Sequence, residues 1–400
     1  MTTRAPLAAI EIGTSKVCVL IGDLHEDDQL MIIGQGVSPS CGVRKGEVQD
    51  IDHVVSCLNE ALEQAEEQAD VSVGEAHVVI SGDHIQAMTN RGTVPVRSEG
   101  GLVSEDEIEE VGDLARAVVL PPDRGMIHSI TQRYLLDDQQ VVLRPEGMEA
   151  TRLTMDMLII HCLRNRIKNL VRTLKDVNVE VLDIAFGGLM SAMSVLTPEQ
   201  KQGGAVVIDL GGGTTDYLVY ADMAIAHAGS LSVGGDHVTN DIAIGLGIPQ
   251  VQAENLKKQS GSAVVSAPSG SPTVALQSDG GFAGKNIRLS DLQTIIHARM
   301  DETLGLVKDG ILRAGLRPEM ISGVILTGGG AHMDGITQLA SDIFDRECQV
   351  GRPRNVSGLA VVTEGPQYAA PLGMLQYALR SGKRGRNAGL LDRLMRIFTN

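Results

Sequence analysis

The chain has 400 residues and a mass of 42.4 kDa, which exceeds one ordinary hydrophobic core and predicts two domains or one large lobed unit. Apolar residues make up 43% and charged residues 21%, which suffices to bury a core and excludes a chain that is disordered throughout. The 34 Lys and Arg residues against 50 Asp and Glu give a net charge of −16, which, with no Trp present, argues against nucleic acid as a partner.

The apolar runs predict neither a membrane-spanning helix nor a signal peptide. No run of about 18 apolar residues occurs, and only Leu7 to Ile10 precede Glu11, which is short for a signal peptide. The five cysteines are scattered without a CxxC pair, which favours a reducing cytosol. The ten histidines form no HxxxH or HxxH pair, so no His-based metal site is predicted.

The first motif is a hairpin close to the N-terminus. From Ala8 to Leu20 the sequence reads as an apolar strand, the carboxylate of Glu11, a short turn and a second apolar strand. A Gly turn exposes consecutive N–H groups, hydroxyls add donors, and a lysine adds a point charge for phosphate. The pattern therefore predicts a phosphate-binding turn made of Gly13, Thr14, Ser15 and Lys16.

The next recognisable element is an acidic helix from Ser104 to Val118. Ser104 and Glu107 have the spacing of a capping box, and Pro121-Pro122-Asp123 breaks the helical pattern before further strand-like runs. Four methionines of the first half are expected to fill the core, namely Met155, Met157, Met190 and Met193.

A second hairpin from Val206 to Val219 repeats the pattern of the first. Asp209 follows Glu11 by 198 positions, and Gly211 follows Gly13 by the same interval. Two such hairpins on two domains would clamp a triphosphate, with Glu11 and Asp209 holding Mg²⁺ mostly through its waters. The alternative is a pair of ordinary tight hairpins. The second phosphate-binding turn would consist of Gly211, Gly212, Gly213, Thr214 and Thr215.

Two further glycine clusters fit the same pocket. Gly234 and Gly235 precede a helix from His237 to Leu246, and a helix N-terminus favours anions. A buried-type strand from Val324 runs into a triple-glycine turn, where a base or a phosphate could approach the backbone closely. That turn is Gly328, Gly329 and Gly330. Neither a GxxxxGK[ST] loop nor a GxGxxG turn after a strand is present, which disfavours other nucleotide folds.

The C-terminal segment has its own charge and pattern. From Arg380 onward the net charge is +5, against −21 for the rest, so the tail is expected to have a separate partner. Residues 380–389 read as a flexible basic linker, and 390–400 as an amphipathic helix at an anionic membrane surface. A terminal helix docked on its own core is the alternative. The membrane-binding residues would be Leu390, Leu391, Arg393, Leu394, Met395, Arg396, Ile397 and Phe398.

In this order, the segments resemble the superfamily of actin, hexokinase and DnaK-type chaperones. From about Ala8 onward they are similar to the FtsA family of bacterial division proteins, and Ser81 to Gln86 and the basic tail helix distinguish that family from actin and MreB. The resemblance implies an α/β, actin-like two-lobe fold, made of duplicated ribonuclease-H-like domains around an ATP–Mg²⁺ cleft. Its implied parts are the lobe 1 core at 1–81 and 161–195, an inserted subdomain 1C at 82–160, the lobe 2 core at 196–246 and 310–367, a subdomain 2B at 247–309, a closing helix at 368–379, the linker at 380–389 and the membrane-targeting helix at 390–400.

The resemblance also implies individual contacts. Glu254 and Lys257 would bind the ribose, and Gly328 to Gly330 the adenine side. Arg299 and Glu302, on a helix from Leu289 to Leu312, would bind the C-terminal peptide of the tubulin-like protein FtsZ. The alternative for these charged residues is a solvated helix face. In 2B, residues 259–284 read as a solvated, mobile loop.

The resemblance further implies a filament-forming protein that anchors FtsZ filaments to the cytoplasmic face of the membrane at the division septum. Other division proteins would bind through 1C. Hydrolysis needs a residue that orients the attacking water, and Asp183 is the candidate in the linking segment 183–191. We assign no catalytic residue and expect slow ATP turnover. The alternatives are a pilus-assembly adaptor and a sugar kinase of the same superfamily.

Overall fold

The computed structural model describes residues 6–24, 29–265, 272–276 and 285–383. The strands are β1 (Leu7–Ile12), β2 (Lys16–Leu24), β3 (Leu30–Pro39), β4 (Val43–Arg44), β5 (Glu47–Val48), β6 (Glu75–Ile80), β7 (Gln86–Pro95), β8 (Arg124–Leu136), β9 (Gln140–Val142), β10 (Arg152–Leu163), β11 (Glu180–Phe186), β12 (Ala205–Leu210), β13 (Thr215–Ala221), β14 (Ala224–Leu231), β15 (Thr273–Leu276), β16 (Lys285–Arg288), β17 (Gly323–Thr327), β18 (Glu347–Val350) and β19 (Val356–Gly358). The helices are α1 (Ile51–Ala69), α2 (Glu105–Arg116), α3 (Arg164–Asp176), α4 (Gly187–Val195), α5 (Pro198–Gly203), α6 (Gly235–Leu246), α7 (Gln250–Ser260), α8 (Leu289–Arg313), α9 (Ile336–Phe344), α10 (Ala360–Thr363) and α11 (Ala369–Lys383).

Two sheets of matching topology form the cores of two lobes. Lobe 1 has the strand order β11-β6-β1-β2-β3-β19, and lobe 2 has the order β18-β17-β12-β13-β14. In each lobe, the first hairpin is antiparallel, and its leading strand pairs in parallel with a strand that follows later in the chain. The duplication predicted from the 198-residue interval is therefore present in the strand order. Because both leading strands point their carboxyl ends toward the same gap, both Gly turns face it.

Two buried connections join the lobes. Helix α4 follows β11 directly and is buried on nearly every side, since Ser191 and Ser194 are the only polar residues in its sequence GGLMSAMSV. Helix α11 packs against it so closely that a Cβ at Gly373 would lie 2.5 Å from the Met190 carbonyl carbon. Met155, Met157 and Met190 are buried and Met193 packs against the core, so the prediction that these methionines fill the core is confirmed.

Subdomain 1C is a four-stranded antiparallel sheet, ordered β7-β10-β8-β9, with α2 on one face. The capping box of α2 is formed, because the Glu107 carboxylate accepts from the Ser104 backbone N–H at 2.9 Å. The other side of 1C contacts the edge of the lobe 2 sheet. There the Gln132 amide donates to the carbonyls of Ile225 and Ala226, at 2.9 and 3.1 Å.

Two segments differ from expectation. Ser262 and Ala263 are buried and β15 pairs with β16, so 259–284 is not solvated throughout; residues 266–271 and 277–284 lie outside the described residues. Helix α11 continues to Lys383, so 380–383 is helical rather than linker, and basic residues suit a helix C-terminus. The remaining linker and the amphipathic helix at 390–400 lie outside the described residues. Within the described part of the chain, no helix combines the length and apolar character needed to cross a bilayer.

Candidate nucleotide-binding site

A cleft of about 430 Å³ opens between the lobes where the two Gly turns meet. All residues assigned from the sequence to a nucleotide or to Mg²⁺ lie on its wall. They are Glu11, Gly13, Thr14, Ser15, Lys16, Asp209, Gly211, Gly212, Gly213, Thr214, Thr215, Gly234, Gly235, Glu254, Lys257, Gly328, Gly329 and Gly330. Segments that are distant in sequence thus form one concave surface.

The two phosphate-binding turns have the same internal hydrogen bond. Gly13 N donates to the carbonyl of Lys16 and Gly211 N to the carbonyl of Thr214, each at 2.9 Å. The turns also touch each other across the cleft, since a Cβ at Gly213 would lie 2.8 Å from the Thr14 Cβ. Glycine at this position is therefore required by the close approach of the two lobes rather than by backbone conformation.

The N–H groups at the start of α6 are not free: that of Gly234 donates to His237 Nδ1 at 3.2 Å, and the next two support the second turn. Gly235 N donates to the carbonyl of Gly211 at 2.9 Å, and Asp236 N to that of Gly212 at 2.8 Å. Gly328 has a left-handed φ of 80°, and a Cβ there would collide with the Asp209 carboxylate and approach Leu210 N to 2.8 Å. The triple-glycine turn thus allows β17 to end directly beside the acidic floor of the cleft.

Three carboxylates form that floor, and burial raises the pKa of each. Burial raises the pKa of Glu11 to about 7 although Lys16 Nζ lies 3.9 Å away. It raises the pKa of Asp216 to about 7 against hydrogen bonds from Ser230, at 2.5 Å, and Ser81. The pKa of Asp209 is raised by burial despite a hydrogen bond from Ser191 at 2.5 Å.

The donor set fits a hydrated divalent cation. Glu11 Oε2 is buried without a hydrogen-bond partner among the described residues, and buried carboxylates with raised pKa are stabilised by a cation. Within residues 6–24, 29–265, 272–276 and 285–383, no three His, Cys, Asp or Glu side chains are arranged to ligate one metal ion directly.

Lys16 connects the first turn to the segment that precedes α11. Its ammonium donates to the Gln367 carbonyl at 2.5 Å and lies 4.3 Å from the centre of the Tyr368 ring. Gln367 also lines the cleft, and its side chain contacts His332 at 2.6 Å. The lysine is therefore held at the cleft wall by a carbonyl and an aromatic ring, with the Glu11 carboxylate 3.9 Å away.

Glu254 and Lys257 lie on α7 at the opposite end of the cleft. Lys257 Nζ contacts the Glu254 carboxylate at 2.6 Å, the Gly235 carbonyl at 2.9 Å and the Thr239 hydroxyl at 2.8 Å. The pKa of Glu254 is lowered because these lysine and hydroxyl contacts outweigh its burial. Both side chains are thus fixed together rather than extended into solvent.

Arg299 and Glu302 lie on α8, outside the cleft lining. Arg299 forms ion pairs of 2.5 Å with both Glu302 and Asp241, and its side chain is 25% exposed. The helix runs from Leu289 to Arg313, one residue beyond the expected end. A carboxylate ligand at Arg299 would compete with two existing partners.

One acidic cleft residue was missed by the sequence analysis, and one expected residue lies elsewhere. Asp216 lines the cleft, although the sequence analysis assigned it no role, and Ser191 donates to Asp209 behind the lining. Asp183 is buried within β11 rather than on the cleft wall, where its carboxylate accepts from its neighbour Ile184 N at 2.8 Å. The position of Asp216, two residues into β13 and directly opposite Asp209 in the hairpin register, was the available signal.

A family model described as cell division protein FtsA matches residues 206–373, and one described as the SHS2 domain inserted in FtsA matches 82–161. The chain is 34% identical to cell division protein FtsA of Pseudomonas aeruginosa over 379 residues, which cover 95% of this chain and 90% of the relative. It is 33% identical to the FtsA protein of Escherichia coli K12 over 391 residues, covering 96% and 93%.

Solved structures share the fold at low identity. The PilM-PilN type IV pilus biogenesis complex matches with a TM-score of 0.66 and 15% identity, covering 94% of this chain and 99% of that one. MreB5 of Spiroplasma citri bound to ADP matches with a TM-score of 0.55 and 15% identity, covering 95% and 98%. The fold is therefore of the actin-like two-lobe type. By its sequence relatives over nearly its whole length, the chain belongs to the FtsA family of actin-like cell division proteins.

Proposed function

We propose that this protein binds ATP in the cleft, polymerises, and anchors FtsZ filaments to the cytoplasmic face of the cell membrane at the division septum. The observation that carries the nucleotide part is the pair of matched Gly turns meeting across the cleft. Their N–H groups and hydroxyls, with Lys16, provide donors for a triphosphate between the lobes. The fold neighbour MreB5, solved with ADP and with AMPPNP, supports a nucleotide in a cleft of this type.

The acidic floor would hold Mg²⁺ beside the triphosphate. Glu11, Asp209 and Asp216 would accept hydrogen bonds from the waters of the cation, and the cation would neutralise phosphate charge. Glu254 and Lys257 would take the ribose, and the backbone at Gly328 to Gly330 the adenine side.

Slow hydrolysis is part of the proposal. A water-orienting group must lie near the terminal phosphate, and Asp183, the candidate from the sequence, is buried in β11. Asp216 lines the cleft, but its carboxylate already accepts hydrogen bonds from Ser230 and Ser81, which compete with an attacking water for the same oxygens. ATP would then act mainly as a ligand that sets the conformation of the lobes.

The division role would use two further surfaces. Arg299 and Glu302 on α8 would receive the acidic C-terminal peptide of FtsZ, and the segment 390–400 would bind anionic lipid. Filament formation would multiply the weak affinity of each single tail. Other division proteins would bind subdomain 1C.

A pilus-assembly adaptor is the second candidate, favoured by the fold likeness to PilM. A pull-down with FtsZ C-terminal peptide separates the two. Arg299→Glu should abolish retention, because it places a carboxylate beside Asp241 and Glu302. Arg313→Glu, an exposed change on the same helix, is the matched control. Equal retention of Arg299→Glu and wild-type protein would refute this docking surface.

The membrane part is tested with vesicles containing phosphatidylglycerol. Deletion of residues 390–400 should abolish co-sedimentation while fluorescent ATP still binds. Retained co-sedimentation of the truncated protein would refute the anchor.

A further inference from the structure

An open pocket of about 660 Å³ lies on lobe 1, at its junction with subdomain 1C and apart from the nucleotide cleft. We call it the junction pocket. The β4–β5 hairpin, the segment after β6, the start of β8 and the start of α3 form its wall. It is lined by Arg44, Lys45, Glu47, Gln49, Asp83, His84, Arg124, Leu163 and Arg166.

The lining is polar and carries an excess of positive charge. Four basic side chains face two acidic ones, and Leu163 is the single apolar side chain among them. Arg166 forms an ion pair with Glu47 at 2.8 Å, which leaves Asp83 as the one acid for the remaining bases. Among the described residues, neither Arg44 nor Lys45 forms an ion pair.

Arg124 is held by neutral acceptors. Its Nε donates to His161 Nδ1 at 2.7 Å, and a terminal nitrogen donates to the His84 carbonyl at 2.5 Å. The guanidinium is thereby fixed in orientation without having its charge neutralised. A planar, pre-oriented guanidinium is the group that proteins most often use to hold phosphate oxygens.

Two buried nitrogen atoms in the pocket lining lack hydrogen-bond partners within the described chain. His84 is 6% exposed, and its Nδ1 has no hydrogen-bond partner among the described residues. The Nε atom of Arg166 is also buried and also lacks a partner there. A buried polar atom without a partner is costly unless a ligand or water satisfies it. His84 and Arg166 also line a small cavity of about 20 Å³, which has room for one water molecule between these atoms and a ligand in the junction pocket. Burial also lowers the pKa of His84 to about 4, with Arg166 and Arg124 acting in the same direction. A neutral ring can still donate a hydrogen bond to an anion.

We propose that the junction pocket binds a small phosphate-bearing ligand, held by Arg44, Lys45 and Arg124 with His84 and Arg166 at its base. Only one of the nine lining residues is apolar, whereas four are basic, which favours an anionic ligand over an apolar peptide side chain. The phosphate group is the shared chemistry of two sources, a soluble phosphate ester and an anionic lipid headgroup.

The junction pocket is connected to the nucleotide cleft by two short links. Gly46, the turn residue of the β4–β5 hairpin, lines the cleft, and its N–H donates to Thr14 Oγ1 in the first phosphate-binding turn at 2.9 Å. Ser81 lines the cleft, whereas Asp83 and His84, two and three residues later, line the junction pocket. An occupied pocket would therefore restrain the hairpin that positions Thr14.

Calorimetric titration with inorganic phosphate tests the proposal on the full chain. The double variant Arg44→Gln, Lys45→Gln removes two unpaired charges at the pocket and breaks no hydrogen bond recorded for them. It should bind phosphate roughly tenfold more weakly, since charge-assisted contacts are the stronger hydrogen bonds. Arg172→Gln, a largely exposed change on α3 outside the pocket, should stay within about twofold of wild type.

A second variant distinguishes the pocket from the cleft. Gly213→Ala alters the phosphate-binding turns of the cleft, and phosphate binding at the junction pocket should survive it. Phosphate binding that is lost in Gly213→Ala but kept in the double variant would place the anion in the cleft and overturn the proposal. If wild-type protein bound neither phosphate nor a soluble short-chain phosphatidylglycerol, the proposal would be overturned as well.

Titration with glycerol 3-phosphate and with a soluble short-chain phosphatidylglycerol, neither of which needs the membrane-binding tail, then identifies the source. Tighter binding of glycerol 3-phosphate that is weakened in the double variant indicates a soluble phosphate ester. Tighter binding of the short-chain lipid that is weakened in the double variant indicates a lipid headgroup. Failure of ATP binding in wild-type protein would refute the proposed nucleotide site and leave these outcomes unchanged.

Discussion

Gly213→Ala should weaken ATP binding by forcing the two phosphate-binding turns apart. A Cβ at position 213 would lie 2.8 Å from the Thr14 Cβ, whereas an ordinary contact begins at 3.4 Å. Rotation of the Thr14 side chain cannot relieve this, because a Cβ atom moves only with the backbone. Thr14 is also held by the hydrogen bond from Gly46 N.

The magnitude follows from the hydrogen bonds that such a displacement would break. Donors that retreat by several tenths of an ångström no longer bond the same phosphate group well. Losing one hydrogen bond to a charged group costs about 1.5–3 kcal/mol, which corresponds to roughly 10- to 150-fold in affinity. Gly213 is not in a left-handed conformation, so the change should act on the approach of the lobes rather than on the turn itself.

Titration with a fluorescent ATP analogue in the presence of Mg²⁺ measures this effect. Gly305→Ala is the matched control, since nothing lies within 4 Å of a Cβ there and alanine favours the interior of α8. The control should bind ATP as wild type does and unfold at a slightly higher temperature. If Gly213→Ala bound ATP as tightly as wild type, the proposal that both turns contact the phosphates of one ATP molecule would be refuted.

Without divalent cation, the free energy of unfolding should fall as pH rises from about 4.5 to about 7, because Glu11 and Asp216 release protons in the unfolded chain before they do so in the folded one. Thermal unfolding in EDTA across this range measures the slope; Asp216→Asn should flatten it, and an unchanged slope in that variant would contradict the assignment. Gly373→Ala should destabilise the protein by about 1–3 kcal/mol or more through overpacking of α11 on α4, and a denaturation midpoint equal to wild type would contradict the close packing. Single-turnover hydrolysis should be far slower than the roughly 1–100 per second of kinases, and rates in that range would contradict the role of ATP as a conformational ligand.

The local parts of the site could be predicted from the sequence because they depend on short-range chemistry. The turn at Gly13 to Lys16, its counterpart at Gly211 to Thr215 and the capping box at Ser104 are each read from a few neighbouring residues. The matched interval of 198 positions then predicted two copies of one strand arrangement, and the two sheets have it.

Contacts between distant segments could not be predicted in the same way. Lys16 meets the Gln367 carbonyl across 351 positions, and Ser230 meets Asp216 from a neighbouring strand. A single sequence contains no signal for such pairs, since the partner residues are common types without a local pattern. The same reason explains why the sequence indicated Asp183 within the linking segment and gave no role to Asp216. The polarity of a segment is visible in sequence, but the direction of a side chain relative to a cleft is not.

The bridge from Gln132 to the carbonyls of Ile225 and Ala226 gives subdomain 1C a hold on both lobes. Subdomain 1C is inserted in lobe 1, but Gln132 donates to residues of β14 in lobe 2. The same strand contains Ser230, which donates to Asp216 at the floor of the cleft. A movement of the lobes away from each other must therefore either break the two hydrogen bonds of Gln132 or move subdomain 1C together with lobe 2. Suppose that a division protein binds 1C more tightly in one arrangement of the two lobes. By thermodynamic reciprocity, that protein would change the affinity for the nucleotide by the same factor by which the nucleotide changes the affinity for that protein. Subdomain 1C would then couple the binding of a partner at the periphery of the molecule to the opening and closing of the cleft between the lobes.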